Sequence, residues 1–305
     1  MGANSYLCIQ PQRQREIIAE LKKRSGLTWP KLAESLSVCR SMAFNYNSGT
    51  NSIPLNKFEK LCSLAKVEPD YFGKFELKEV QNQPHSITVP PLDSEELSEF
   101  LGFMAGDGCL TVNYAVVVSC DATSDKRYVW EVVAPKFMRL FSLAPNIRKI
   151  NRNLLQCRVY CKKLFDFLSK EAGLPTGRKK NKIRIPEFIM PNKTLTAAFL
   201  RGLFDTDGGF HRHNPFSSKV EFTSYSEKFR EDIVQALISL GFKPVSIKTR
   251  IYIMAKSEIA RFFATIKPSN FKHCYKYAKF LEKGQVPRHR DIDYNSEEFK
   301  NFGLL

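Results

Sequence analysis

Two carboxylates stand one hundred residues apart in matching surroundings: Asp107 closes the apolar run FLGFMAGDG, and Asp207 closes FLRGLFDTDGG. Each run reads as a helix ending in Asp-Gly. Gly102 and Gly106 fall four apart on one helix face, and Gly202 and Thr206 repeat that spacing. Small residues at i and i+4 let two helix backbones approach closely. Packing these helices on each other brings their C-terminal ends, and the aspartates, side by side. The helix dipole leaves partial negative charge at that end, so each Asp is unfavourable there by ~0.3–1 kcal/mol. Two carboxylates ~4 Å apart repel by about 4 kcal/mol at a surface-like dielectric. Such a pair asks for a cation. Carboxylates with helix-end carbonyls, those of Gly106 and Thr206, suit Mg²⁺ or Mn²⁺, and scissile phosphates would supply further oxygens. The glycine after each Asp is expected to be a left-handed cap.

The elements around the two runs also repeat. Strand-like alternation follows each (LTVNYAVVVSC; FHRHN…KVEFTS), then an amphipathic helix (KRYVWEVVAPKFMRLF; EKFREDIVQALISLG). Two short strands come next (IRKI and LLQCRVYC; VSIKT and RIYIMA), and a helix closes each copy (KKLFDFLSKEAG; SEIARFFATI). This order predicts an α+β fold, αββαββα used twice in tandem over 93–190 and 191–283. In IKTRIYI the alternation puts Lys248, Arg250 and Tyr252 on one face and Ile247, Ile251 and Ile253 on the other. Arg148 and Arg158 occupy the corresponding strands of the first copy, and Lys149 and Arg152 the opposite side. His211 and His213 alternate just after the second run. With an apolar face under helices and a basic face outward, such a sheet suits a DNA major groove. The two histidines could also suggest zinc, but no third His or Cys stands near them in sequence, which favours groove- or solvent-facing side chains. The run GRKKNKIR (177–184) reads as a connector that touches phosphates or as a solvated face.

Residues 11–72 read as short helices. One runs from about Gln12 to Ser25 and stops at Gly26; Thr28 opens TWPKLAESL; RSMAFNYN follows a three-residue turn; Pro54 opens PLNKFEKLCSLA. The tight-turn pair resembles a Cro-repressor helix-turn-helix, with Ala33, Val38 and Gly49 in their usual places, and assigns 1–75 to an all-α domain. That resemblance implies that Arg40, Ser41, Met42 and Asn45 face a major groove. A helical module that contacts protein instead is the alternative. Residues 76–92, with three prolines, are expected as a linker, and the polar 284–305 as a loose tail.

Charge agrees with a polyanionic partner. The chain has 47 Lys and Arg against 31 Asp and Glu, net +16, and its thirds (cut after 90 and 190) carry +4, +5 and +7. A basic tail on an acidic body is thereby excluded; an anionic membrane surface is the second reading. No apolar run approaches the ~18 residues of a membrane helix, and the first residues lack a secretory signal or a myristoylation spacing. Eight scattered cysteines with no CxxC pair argue against a zinc ribbon or disulfide scaffold. Reduced thiols inside the cell, in cytoplasm or nucleoid, are expected.

The paired runs, with RKKNKIRIPEFIM, KVEFTSYSEKF, LGF and IKPSNFKH…KY…FL, resemble the LAGLIDADG (dodecapeptide) homing endonucleases over about 94–283. The resemblance implies a pseudo-twofold saddle on double-stranded DNA, working as a monomer. It also implies Asp107 and Asp207 as the acidic metal-binding positions and a basic residue near the reactive water. Lys162 and Lys256, after equivalent strands, fit that place; solvated strand-end lysines are the alternative. The earlier acidic position is Ala105 in one copy and Asp205 in the other, and Asp205 is taken as structural. A site-specific, metal-dependent double-strand break at a long asymmetric site is the implied activity. The rivals are a non-cleaving transcriptional regulator and an intron RNA maturase; the Met-Gly start and FGLL end argue against an intein. With six or more phosphates contacted, the log–log slope of DNA affinity against salt should have a magnitude of ~5 or more, read by fluorescence anisotropy. A flat response would contradict the extended basic surface.

Overall fold

The computed structural model describes residues 5–79, 87–214 and 217–303. The chain divides into two compact units, Met1–Asn82 and Gln83–Leu305.

In the first unit, β1 (Ser5–Cys8) precedes α1 (Pro11–Ser25), α2 (Trp29–Ser35), α3 (Arg40–Ser48) and α4 (Leu55–Ala65), and β2 (Glu76–Glu79) returns antiparallel to β1. The helices fall where apolar spacing and breakers put them. Gly26 ends α1 at φ +65° and Gly49 ends α3 at φ +74°, conformations that cost other residues more. Ile17, Ile18 and Leu21 of α1 meet Leu32, Phe58 and Leu61 in one core. Buried Gln14 donates to the Tyr46 and Asn51 carbonyls at 2.7 and 2.9 Å, tying α1 to the end of α3. An all-α domain over 1–75 and a linker starting at 76 are both corrected here, because Ser5–Cys8 and Glu76–Glu79 pair as a two-stranded ladder. Residues 80–86 of that stretch lie outside the described residues, while Ile87 and Leu92 pack on the core of the second unit.

The second unit begins with α5 (Glu95–Gly106), β3 (Gly108–Leu110), β4 (Ala115–Asp121) and α6 (Lys126–Tyr128). A π-turn (Val129–Val133) joins α6 to α7 (Ala134–Phe141), followed by β5 (Asn146–Lys149), β6 (Leu154–Tyr160) and α8 (Lys162–Asp166). The π-turn has a local cause. Pro135 lacks an N–H and its ring would crowd the carbonyl four residues back, and the helix widens so that the Ala134 N–H reaches Val129 O. The order then repeats as α9 (Lys193–Asp207), β7 (Gly208–Asn214), β8 (Ser217–Thr223), α10 (Glu227–Ser239), β9 (Val245–Ile247), β10 (Arg250–Ile253) and α11 (Lys256–Ile266). Both sheets are antiparallel, ordered β3-β4-β6-β5 and β7-β8-β10-β9, so each strand holds the same place in its copy. The duplicated α+β order is borne out. One face of each sheet is apolar: Val116, Val118, Leu155, Cys157 and Val159 in the first, Phe210, Val220, Phe222, Ile251 and Ile253 in the second.

Two expectations are corrected in this unit. Lys248 is not on the face of Arg250: it sits at φ +53° in a two-residue turn, and Ile247, half-exposed, pairs with Arg250. Alternation counted through a hairpin turn loses its parity. Nor are residues 284–303 a loose tail. They follow α12 (Phe271–Lys283) and include α13 (Glu297–Lys300), with Val286, Ile292, Tyr294 and Phe299 buried. Arg127 of the first copy donates to the Phe299 and Phe302 carbonyls at 2.9 and 2.7 Å while its guanidinium lies 3.6 Å over Phe271. Their few apolar residues converge only in three dimensions.

At the centre, α5 and α9 are buried over most of their circumference, from Leu97 to Ala105 and from Leu195 to Asp205. Their contact is reciprocal and made of backbone. A Cβ on Gly102 would stand 2.9 Å from Leu203 N and closer still to Phe199 O; one on Gly202 would stand 2.7 Å from Phe103 N and closer still to Glu99 O. Alanine gains about 1 kcal/mol over glycine in an open helix. Here Gly102→Ala or Gly202→Ala should instead lose about 3 kcal/mol, the upper range for overpacking, read as a lowered urea midpoint. An unchanged midpoint would mean that the helices do not touch this closely.

Candidate active site at the paired helix ends

Each helix of the central pair has a built start. Ser94 accepts from Leu97 N at 3.3 Å, and Asn192 accepts from Thr194 N and Leu195 N at 2.9 and 3.3 Å. The two C-termini meet as the small-residue spacing predicts. A Cβ on Gly106 would strike the Thr206 hydroxyl and lie 3.4 Å from the carboxyl carbon of Asp207. Asp107 caps its helix just past Gly106, its N–H on Phe103 O at 3.0 Å and its own carbonyl taking Ser119 N at 3.0 Å. The following glycines are not left-handed caps: Gly208 is extended (φ −90°, ψ 170°) and Gly108 is absent from the positive-φ residues. Both start a strand, and what excludes a side chain is proximity, since a Cβ would overlap Met104 or Phe204 in the preceding turn.

Burial, with the charges of Asp207 and Asp125, pushes the Asp107 carboxyl up from 3.8 to about 7. Asp207 is raised as well, chiefly by the protein around it, although Lys179 and Lys272 draw it down. Gly106, Lys179 and Asp207 line a cavity of about 260 Å³ with Thr223, Tyr225 and Phe229. Lys179, from the GRKKNKIR run, folds back onto the end of α5. Its ammonium donates to Met104 O at 3.2 Å, to Ala105 O at 2.8 Å and, closest, to Gly106 O. Lys272 pairs with Asp125 at 2.7 Å, and Asn270 donates to Asp125 and to Asp205 O at 2.7 and 2.8 Å. The Asp205 carboxylate accepts from Ser269 N and Asn270 N, as a structural residue would. Sequence reasoning missed Lys179, Lys272 and Asp125; no local pattern separates them from the many other charged residues.

Lys162 and Lys256 do open equivalent helices, α8 and α11. Lys162 is ion-paired to Asp166 at 3.0 Å and lies over the Tyr114 ring, and Lys256 is exposed. The lysines whose charges act on the two aspartates are Lys179 and Lys272. Cross-strand pairing puts Arg148 beside Gln156 and Arg158 beside Asn146 on the outward face of the first sheet. On the second, Lys219 and Arg250 flank Glu221 at 2.9 and 3.4 Å, and Lys219 lies over Tyr252. His211 and His213 line a separate cavity of about 340 Å³ with Arg212, Arg288 and His289. In the first unit Arg40 and Ser41 are exposed, Asn45 is half-buried, and Met42 packs toward the core.

Among the described residues, no three His, Cys, Asp or Glu side chains form a metal cluster. The helix ends offer two carboxylates and backbone carbonyls, hard oxygen donors that suit Mg²⁺ or Mn²⁺ once substrate or water completes the shell. In metal-free buffer the raised Asp107 has a signed consequence. Between pH ~4 and ~7 the folded chain holds a proton that the unfolded chain has released, so stability falls as pH rises through this window. Asp107→Asn should therefore unfold later than wild type at pH 8, by on the order of 1–2 kcal/mol after solvent screening, and match it near pH 4. Equal urea midpoints at both pH values would contradict a desolvated Asp107 carboxyl beside the charge of Asp207.

Residues 194–267 match the LAGLIDADG-like domain family. The replication factor C small subunit of Methanocaldococcus jannaschii is 33% identical over 151 residues, 48% of this chain and 8% of that protein. The glutamine–fructose-6-phosphate aminotransferase of the same organism is 24% identical over 196 residues, 64% of this chain and 17% of that protein. The chain thus spans less than a fifth of the length of these relatives. A crystal structure of I-DmoI in complex with DNA and Mn is 17% identical, with a TM-score of 0.42, over 56% of this chain and 96% of that one. The matched residues run from α9 through α11, the elements whose order the first copy repeats, and in that stretch the chain is similar to a LAGLIDADG-like domain.

Proposed function

We propose that the chain is a site-specific, metal-dependent DNA endonuclease of the homing type. One observation carries this reading: Asp107 and Asp207 stand at helix ends that reciprocal backbone contact forces together. The charge of Asp207 helps raise the proton affinity of Asp107, and a cation between such carboxylates relieves it. A divalent ion held by Asp107 and Asp207, with carbonyl oxygens of Gly106 and Thr206, would neutralise charge on a scissile phosphate and lower the pKa of an attacking water. Lys272, held by Asp125, adds positive charge beside the pair. Lys162 and Lys256 are proposed to face the reactive water, which for Lys162 means leaving Asp166.

The two outward sheet faces carry different side chains: Arg148, Gln156 and Arg158 on one, Lys219, Glu221, Arg250 and Tyr252 on the other. A monomer with two unlike reading faces suits a long, non-palindromic site. We further propose α2 and α3 as a helix-turn-helix, with Arg40, Ser41 and Asn45 toward a groove and Met42 supporting the core. Recurrence of the matched segment as a small part of relatives whose names share no activity fits a mobile module.

Incubation with a randomised duplex library and Mg²⁺, followed by sequencing of the ends, tests the reading. Wild type should give ends at one extended sequence, and Asp107→Asn or Asp207→Asn should cut their yield at least about a hundredfold, a loss of several kcal/mol. Tight duplex binding without ends would favour a regulator. Selective retention of intron RNA would favour a maturase.

A further inference from the structure

We infer that Lys179 is an internal counter-ion that holds the cation's place at the α5 end until duplex DNA draws it away. The inference rests on the endonuclease reading. The ammonium takes three successive carbonyls, those of Met104, Ala105 and Gly106, and its charge bears on both Asp107 and Asp207. Gly106 O is one of the oxygens the proposed metal would use. An ammonium and a divalent ion drawn to one carbonyl oxygen repel each other, so the lysine opposes a second cation beside the aspartates.

The α9 end is built differently. There the neutral amide of Asn270 donates to Asp205 O, and the Thr206 hydroxyl turns back onto the Gly202 and Leu203 carbonyls inside the helix at 3.1 Å each. The two ends of the pair are therefore capped differently, and the ammonium on the α5 carbonyls lies beside Asp207 in the shared cavity while its charge also reaches Asp107. Lys179 belongs to a segment with Arg178, Lys180 and Lys182 nearby, whose attraction to phosphate gives DNA the means to pull it off. Metal capture then becomes coupled to DNA: the free protein holds divalent ions weakly and the DNA-bound protein holds them well.

The test uses the full chain and Mn²⁺ alone, with bound ion measured by electron paramagnetic resonance. Without DNA, Lys179→Met should bind Mn²⁺ about tenfold or more tightly than wild type, and Lys179→Arg should not. Non-specific duplex should strengthen wild-type binding and shrink the gap to Lys179→Met to within about threefold. Reductive methylation of wild type, read by mass spectrometry, gives an independent measure: Lys179 should be protected alone and become reactive at saturating Mn²⁺. Affinity abolished by Asp107→Asn and Asp207→Asn but unmoved by Lys179→Met, or Lys179 labelling unmoved by Mn²⁺, overturns the counter-ion role alone. Mn²⁺ binding that neither aspartate variant alters overturns the metal site itself, and the counter-ion with it.

Discussion

Everything at the candidate site depends on two helices whose backbones touch. Side chains cannot intervene at Gly102 and Gly202, since each faces the partner helix's carbonyl and amide. At this separation the two C-terminal ends are fixed side by side, and the charge of Asp207 bears on the Asp107 carboxyl. The same glycines join the two αββαββα copies through one continuous core. Packing and chemistry thus have a single origin, and a change that spreads the helices would alter both.

That closeness has an electrostatic cost, which the surroundings manage with buried cations. Two carboxylates at adjoining helix ends, with Asp107 largely desolvated, favour a proton or a cation over a bare anionic pair. Lys179 answers this from the connector side and Lys272 from the start of α12, the latter anchored by Asp125 of the first copy. Asn270 bridges the same Asp125 to Asp205. The aspartates therefore sit within a network drawn from both copies and the connector, and their environment is a property of the whole unit. At the opposite end of the pair, Glu99 is likewise neutralised by Lys136 and Arg201, each at 3.0 Å.

The outward sheet faces differ in how far they are self-neutralised. Arg158 is held by neutral partners, Gln156 and Tyr160, whereas Lys219 and Arg250 share Glu221. Equal folds need not make equal faces: core positions constrain both copies alike, and outward positions are free to diverge.

The amino-acid sequence alone revealed the repeat, the order of elements in each copy, the two aspartates and the small residues that let their helices meet. These are local or periodic signals, carried by spacing along one helix or strand. It misled where periodicity was carried through a turn, at Lys248, and where a glycine's role was assumed to be conformational, at Gly108 and Gly208. Which charges surround the site is visible only in the folded chain. Lys179, Lys272 and Asp125 lie in unremarkable polar stretches and reach the aspartates through long-range folding, as do the buried residues between 284 and 303. A charged side chain's neighbours are set by which distant segments pack together, and no spacing along the chain encodes that.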